Sequence, residues 1–152
     1  MLAKTHVAFG ILAGLLTLTY FSVGNDLLFI TLVILGVFLP DIDHPTSKVN
    51  NTVKVTKIVT LFFAHRGFFH SIFAALAVFG LLWHYVGFIY GFGLFVGYLS
   101  HLLSDALTVS GVNFLHPIGN FKIRGPVQTG TFVETAVFLA VIVIDGWLLI
   151  RL

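Results

Sequence analysis

Long apolar runs occupy most of this chain, and between them there is too little charge to cover a surface that faces water. Of its 152 residues, 58% are hydrophobic and 9% are charged, where a soluble domain carries about 25% charged residues. Such a surface requires lipid as its solvent. A helix crossing the hydrocarbon core needs roughly 20 apolar residues, with about 17 tolerated. Segment 7–23 meets that length. Segment 27–39 is strongly apolar but short, and it ends at Pro40, which stops helices. The polar stretch 41–57 follows, and 58–64 is too short to cross, so it reads as a surface or re-entrant helix. Segment 68–103 is apolar with a break at 84–87, which predicts a helical hairpin with arms at 68–84 and 88–107. The second arm contains Gly87-x-x-x-Gly91 and Gly93-x-x-x-Gly97, a spacing of small residues that lets helices approach closely in lipid. Residues 108–130, with Pro117 and Pro126, form a loop, and 131–150 is the last span. The expectation is an all-α fold: a polytopic membrane helical bundle of about five transmembrane helices. It forms a single domain over 1–152, whose first helix is retained rather than cleaved as a signal.

The basic residues set an orientation. Lys4, Lys48, Lys54, Lys57, Arg66, Lys122 and Arg124 fall on one side of that topology, and Arg151 alone falls on the other. Lysine and arginine favour cytoplasmic loops, so the N-terminus and both long loops are expected in the cytoplasm. The formal charge of +2, spread along the chain, argues against a nucleic-acid partner. Cysteine is absent, so any metal must be held by His, Asp or Glu.

The same topology gathers the ionisable residues at the cytoplasmic side. His6 opens the first helix, and Asp41, Asp43 and His44 follow the second. His65, Arg66 and His70 precede the third, His101 and Asp105 end the fourth, and Glu134 begins the last. Only Asp26, His84 and Asp145 fall toward the other face. Ionisable groups near a membrane interior are costly and usually functional. Imidazole and carboxylate together suit zinc, iron or manganese. His101 and Asp105, four apart, leave one face of a helix, which serves either two ligands of one ion or a simple His–Asp hydrogen bond. In Asp41-Ile42-Asp43-His44-Pro45, three candidate ligands crowd one turn. Close carboxylates repel unless a proton or a cation intervenes, and a solvated turn is the plainer alternative. In the 65–71 stretch, Ser71 has the chemistry of a helix cap, while Arg66 has that of an anion clamp, phosphate above all.

The strings Leu39-Pro-Asp-Ile-Asp-His-Pro45, His65-Arg-Gly-Phe-Phe-His-Ser71 and Gly97-Tyr-Leu-Ser-His-Leu-Leu-Ser-Asp-Ala-Leu-Thr108 resemble the signature of the LexA-regulated, YdjM-like inner-membrane family of metal-dependent hydrolases. The resemblance runs from His6 to Glu134, with Gly130 and Glu134 matching a later Gly-x-x-x-Glu element, while His116 departs from the pattern. The order of these His, Asp and Glu residues is also similar, more distantly, to zinc-dependent phospholipase C. The resemblance implies one to three divalent ions, zinc first among them. Their ligands would come from His6, Asp41, Asp43, His44, His65, His70, His101, Asp105 and Glu134, with Asp43 accepting a proton and Arg66 steadying an oxyanion. It implies hydrolysis of a phosphoester, such as a phospholipid, at the cytoplasmic membrane face. Two other classes stay open: a non-enzymatic membrane protein with a structural metal, and a metal or ion transporter, whose sites typically lie near the bilayer midplane.

Overall fold

The computed structural model describes residues 1–43 and 67–152, with Asp43 described in its backbone only. Among the described residues it is all-helical: α1 Ala3–Tyr20, α2 Asp26–Phe38, α3 Ile72–Tyr85, α4 Phe88–Ala106 and α5 Phe132–Arg151, with short 3-10 turns at Leu39–Asp43 and Phe68–His70. Local chemistry sets the ends. The Asn25 side chain accepts from the Leu28 N–H at 2.9 Å and caps α2. At its other end the helix tightens into a 3-10 turn at Leu39–Asp43, which contains Pro40. The Ser71 hydroxyl accepts from the Ala74 N–H and caps α3, so this helix starts later than position 68, with His70 left in the turn before it. The hairpin breaks at Gly87, whose φ of 137° suits glycine. Residues 108–130 form a loop carrying two isolated β-bridges, Thr108 to Val127 and Val112 to Ile123.

Helix α4 is the hub. It packs on α1, α2 and α3, while α5 packs on α1. Along α2, Phe29, Val33 and Val37 recur every four residues and are fully buried. The α2–α4 approach depends on missing side chains. A Cβ on Gly97 would overlap the Val33 carbonyl, one on Gly36 would overlap the Leu94 carbonyl, and one on Gly93 would lie 2.7 Å from the Leu32 Cβ. Gly91 serves the α3 side, where a Cβ would lie 2.7 Å from the Phe79 carbonyl oxygen. Gly91, Gly93 and Gly97 of the two small-residue motifs therefore sit where helices meet closely, whereas Gly87 meets only the Tyr90 ring.

Helix α5 turns Phe132, Val133, Val143, Leu149 and Ile150 outward, each more than half exposed. An apolar helix that buries little of itself is a lipid-facing element. Among the described residues it is the one helix long and apolar enough to cross a membrane, at a mean hydropathy of 2.2. The five-crossing expectation goes further than these lengths allow. Helices α2 and α3 have 13 and 14 residues, which at about 1.5 Å each fall short of a core about 30 Å thick. Helices α1 and α4 dilute their apolar stretches with polar residues at one end, Lys4 and His6 in α1, His101 and Asp105 in α4. The expected surface helix at 58–64 lies outside the described residues.

Gly97→Val should lower the unfolding temperature in detergent, because overpacking a helix contact costs on the order of 1–3 kcal/mol. Gly80→Ala is the control, since its Cβ would meet nothing within 4 Å, and it should melt at or above the parent temperature. Equal melting of the two variants would remove the close approach as a source of stability.

Candidate metal centre

Because successive helices run in opposite directions, the start of α1, the end of α2, the start of α3 and the end of α4 share one end of the bundle. There the structure brings together His6, Asp41, His70, His101 and Asp105. Two groups have ligand atoms within 4.8 Å of one another: His6, His101 and Asp105, and Asp41, His70 and His101. His101 belongs to both. Four of the five residues are at most 3% exposed, and Asp41, with its side chain 46% exposed, forms the open side.

Hydrogen bonds assign the imidazole protons. His101 Nδ1 lies 2.8 Å from the Val37 carbonyl oxygen, which can only accept. His101 therefore donates from Nδ1, and in the neutral ring its Nε2 carries a lone pair. The Ser104 hydroxyl donates its proton to the His101 carbonyl at 2.8 Å. It must then accept from His6 Nδ1, which lies 2.7 Å away. His6 Nε2 thus also presents a lone pair. The two rings stack, with centroids 3.9 Å apart and planes within 4°.

Both lone pairs point at carboxylates. His6 Nε2 is 3.3 Å from Asp105 Oδ1. His101 Nε2 is 3.8 Å from Asp105 Oδ2 and 3.9 Å from Asp41 Oδ1. His70 Nε2 is 3.5 Å from Asp41 Oδ1 and 4.0 Å from Asp105 Oδ2. Acceptors facing acceptors need a cation or a proton between them. Among the described residues, both ring nitrogens of His70 and Nε2 of His101 are buried without a hydrogen-bond partner. Ligands at about 2.0–2.1 Å around a tetrahedral ion stand roughly 3.3 Å apart, and the observed separations lie at or just beyond that value. This donor set fits a small divalent cation. For Asp41, partial burial would raise the carboxyl pKa, but the imidazoles of His70, His101 and His6, when protonated, outweigh it and hold the group down to about 2. Asp41 is therefore ionised throughout the neutral range.

Asp105 Oδ1 also accepts from the Met1 ammonium at 2.8 Å. Glu134 stands in neither group. Its Oε1 accepts from the Leu2 N–H and its Oε2 from the Gly130 N–H, each at 2.6 Å. It ties the start of α1 to the turn before α5. His44, His65 and Arg66, with the side chain of Asp43, lie outside the described residues. Sequence reasoning missed Met1, Leu2, Ser104 and the Val37 carbonyl. Ser104 alone left a trace, three residues beyond His101 and so on its face of the helix. The backbone donors and acceptors carry no residue-type signal.

Replacing Glu134 by Ala should lower the melting temperature, since two part-buried N–H groups each lose a hydrogen bond to a charged group, worth up to about 1.5–3 kcal/mol, while the metal bound per folded molecule stays unchanged. Loss of metal at an unchanged melting temperature would instead make Glu134 a ligand.

An inner membrane protein YdjM of Escherichia coli K12 is 39% identical over 125 residues, which are 76% of this chain and 63% of that protein. A YdjM protein of Shigella flexneri matches to the same extent. The match thus spans under two thirds of those relatives' length. The uncharacterized protein YvsG of Bacillus subtilis 168 is 33% identical over 141 residues, 90% of this chain and 87% of its own. None of these three is named a phospholipase C, and that likeness rests on the order of His, Asp and Glu residues alone. No solved structure matches the chain. The family model described as YdjM inner membrane protein matches residues 1–151, and the chain belongs to that family.

Proposed function

We propose that this protein is a membrane-bound metal-dependent hydrolase acting on a phosphoester, a phospholipid by preference, at the cytoplasmic face of the inner membrane. The observation that carries this is the set of buried imidazole nitrogens without partners, facing two carboxylates. A divalent ion there, zinc by preference, would polarise a phosphoryl oxygen and make water a better nucleophile. The chain's own residues do the rest. The Val37 carbonyl and Ser104 hold the His101 and His6 rings and aim their inner nitrogens. Asp41, on the exposed side, lies where a substrate would arrive. Asp43, two residues on in the chain, would take the proton of the attacking water, which ends on the leaving alcohol as the P–O bond breaks. Arg66 offers a planar fork to the remaining phosphoryl oxygens.

A groove supports a lipid substrate. Phe9, Leu12 and Leu16 of α1 face Leu99 and Leu103 of α4 across a cavity of ≈ 680 Å³ with Arg124 at its edge. Apolar walls beside a cation suit an acyl chain carrying an anionic headgroup. A second reading has one observation of its own. The near-complete burial of His6, His70, His101 and Asp105 also suits an ion that only ties helix ends together. The transporter alternative has less support, since the clustered ligands sit at helix ends.

Purified protein should carry at least one divalent transition metal, and chelation should abolish release of phosphate or alcohol from a phosphoester. His101→Ala and Asp105→Ala should each lose most of the metal, while His84→Ala keeps it. Arg66→Lys and Asp43→Asn should cut turnover at least tenfold, Arg66→Lys with metal retained. A metal-loaded protein that melts on chelation yet hydrolyses nothing would leave the structural reading; metal flux in proteoliposomes without hydrolysis would make it a transporter.

Topology has its own test, because the native chain has no cysteine. A single cysteine at the exposed Gln128 should react from the cytoplasmic side, and one at the exposed Asn25 from the periplasmic side. Labelling of both from one side would contradict the orientation.

A further inference from the structure

The other end of the bundle holds a carboxylate that the hydrolase reading does not use. Asp145 lies on α5, eleven residues beyond Glu134, so roughly 16 Å farther along the helix axis. It is 7% exposed. Among the described residues neither of its carboxylate oxygens has a hydrogen-bond partner. A buried carboxylate without partners is costly anywhere and more so in a helix apolar enough to cross a membrane. Structural need does not explain it, since nothing among the described residues is held by it.

Asp145 is among the residues lining a cleft, its two oxygens set back from the accessible surface. Helices α2 and α5 both pack on α1 but make no comparable contact with one another. Between them a cavity of ≈ 550 Å³ opens, with Leu15 and Leu18 as its floor, Ile30 and Leu149 on its walls, and Asp26 and Asp145 as its acids. That volume is within the range of small-molecule sites, about 300–1,000 Å³. Asp26 has a plain explanation, because an acid in the first turn of a helix is favoured by the helix dipole. Asp145 has none of that kind, as it lies in the C-terminal half of α5. The nearest cation in sequence is engaged elsewhere: the Arg151 guanidinium stacks 4.0 Å over the Trp147 ring. Arg151 and Trp147 line a neighbouring cleft with Thr19 and Tyr20 instead.

We propose that this cleft binds a lipid whose headgroup ends in a primary ammonium. The ammonium pairs with Asp145 once its side chain turns from the wall into the cleft, with Asp26 at the rim, and the hydrocarbon lies along the leucine and isoleucine walls. Charge complementarity selects the headgroup, since among the described residues the cleft presents two acids and no base. The apolar lining selects the body. Asp26 opens α2 and Leu152 follows the end of α5, so the site lies at the end opposite the metal centre, where a headgroup on that face of the membrane would be. The site stands independently of the hydrolase reading.

Native mass spectrometry of the full chain can test this, with phosphatidylethanolamine and phosphatidylglycerol of identical acyl chains as probes. The wild type should retain the ethanolamine lipid about tenfold better, as a charge-assisted hydrogen bond implies. Asp145→Asn keeps the shape and should erase the preference, while Asp145→Glu keeps the charge and should restore it. Carbodiimide treatment of the wild type should couple the lipid amine to the peptide containing Asp145. Equal retention of the two lipids by the wild type overturns the proposal, and so does a preference that survives in Asp145→Asn. The wild-type comparison does not depend on any variant folding. If Asp145 only carries a proton or meets a basic helix of another protein, no headgroup preference appears.

Discussion

Two imidazoles with their outer nitrogens already committed, His101 to the Val37 carbonyl and His6 to Ser104, have no freedom in where their inner nitrogens point. Both point at Asp105, and His101 points at Asp41 as well. The rest of the site follows from this arrangement of acceptors against acceptors. Without an intervening cation or proton it is repulsive, and the low dielectric of a buried site amplifies the repulsion. A cation converts the same geometry into attraction. The fold thus holds together residues that would separate if left alone.

Rigid placement is achieved through backbone proximity. The Val37 carbonyl reaches His101 because α2 and α4 touch at Gly36, Gly93 and Gly97. In lipid, apolar side chains supply little net drive for helices to associate, so close backbone packing supplies more of it. The glycines that hold the bundle together also set the second coordination shell of the candidate metal centre. Stability and site geometry are therefore coupled through one interface. Glu134 performs a parallel task with hydrogen bonds, joining the first residues of α1 to the loop before α5.

The two ends of the bundle carry opposite electrostatic problems. At one end imidazoles and carboxylates crowd together in a donor set that suits a small, multiply charged ion. At the other, Asp145 has no hydrogen-bond partner among the described residues and shares an apolar cleft with Asp26, where a single bulky amphiphilic cation meets both the charge and the surroundings. A chain with 9% charged residues has few places to put an acid without purpose, which gives each buried acid weight as a marker of binding.

Much of this was legible in the sequence. Long apolar segments broken by Pro40, Asn25 and Gly87 dictate helices and their order, because each break has a local backbone cause. Alternating direction then delivers His6, Asp41, His70, His101 and Asp105 to one end, since consecutive antiparallel helices leave only two ends to choose from. The spacing of His101 and Asp105 on one helix face follows from helical periodicity alone. The sequence by itself therefore determined the helical class and the family, and named nine candidate ligands without separating out the five that meet, His6, Asp41, His70, His101 and Asp105. Tertiary structure alone decided which nitrogen of each imidazole faces inward, that His101 is shared by two ligand groups, and that Glu134 spends its oxygens on backbone N–H groups. It also decided that Asp26 and Asp145 line one cleft. These outcomes depend on carbonyls, amides and interhelical distances, which every residue possesses in the same form and which no residue type announces in advance.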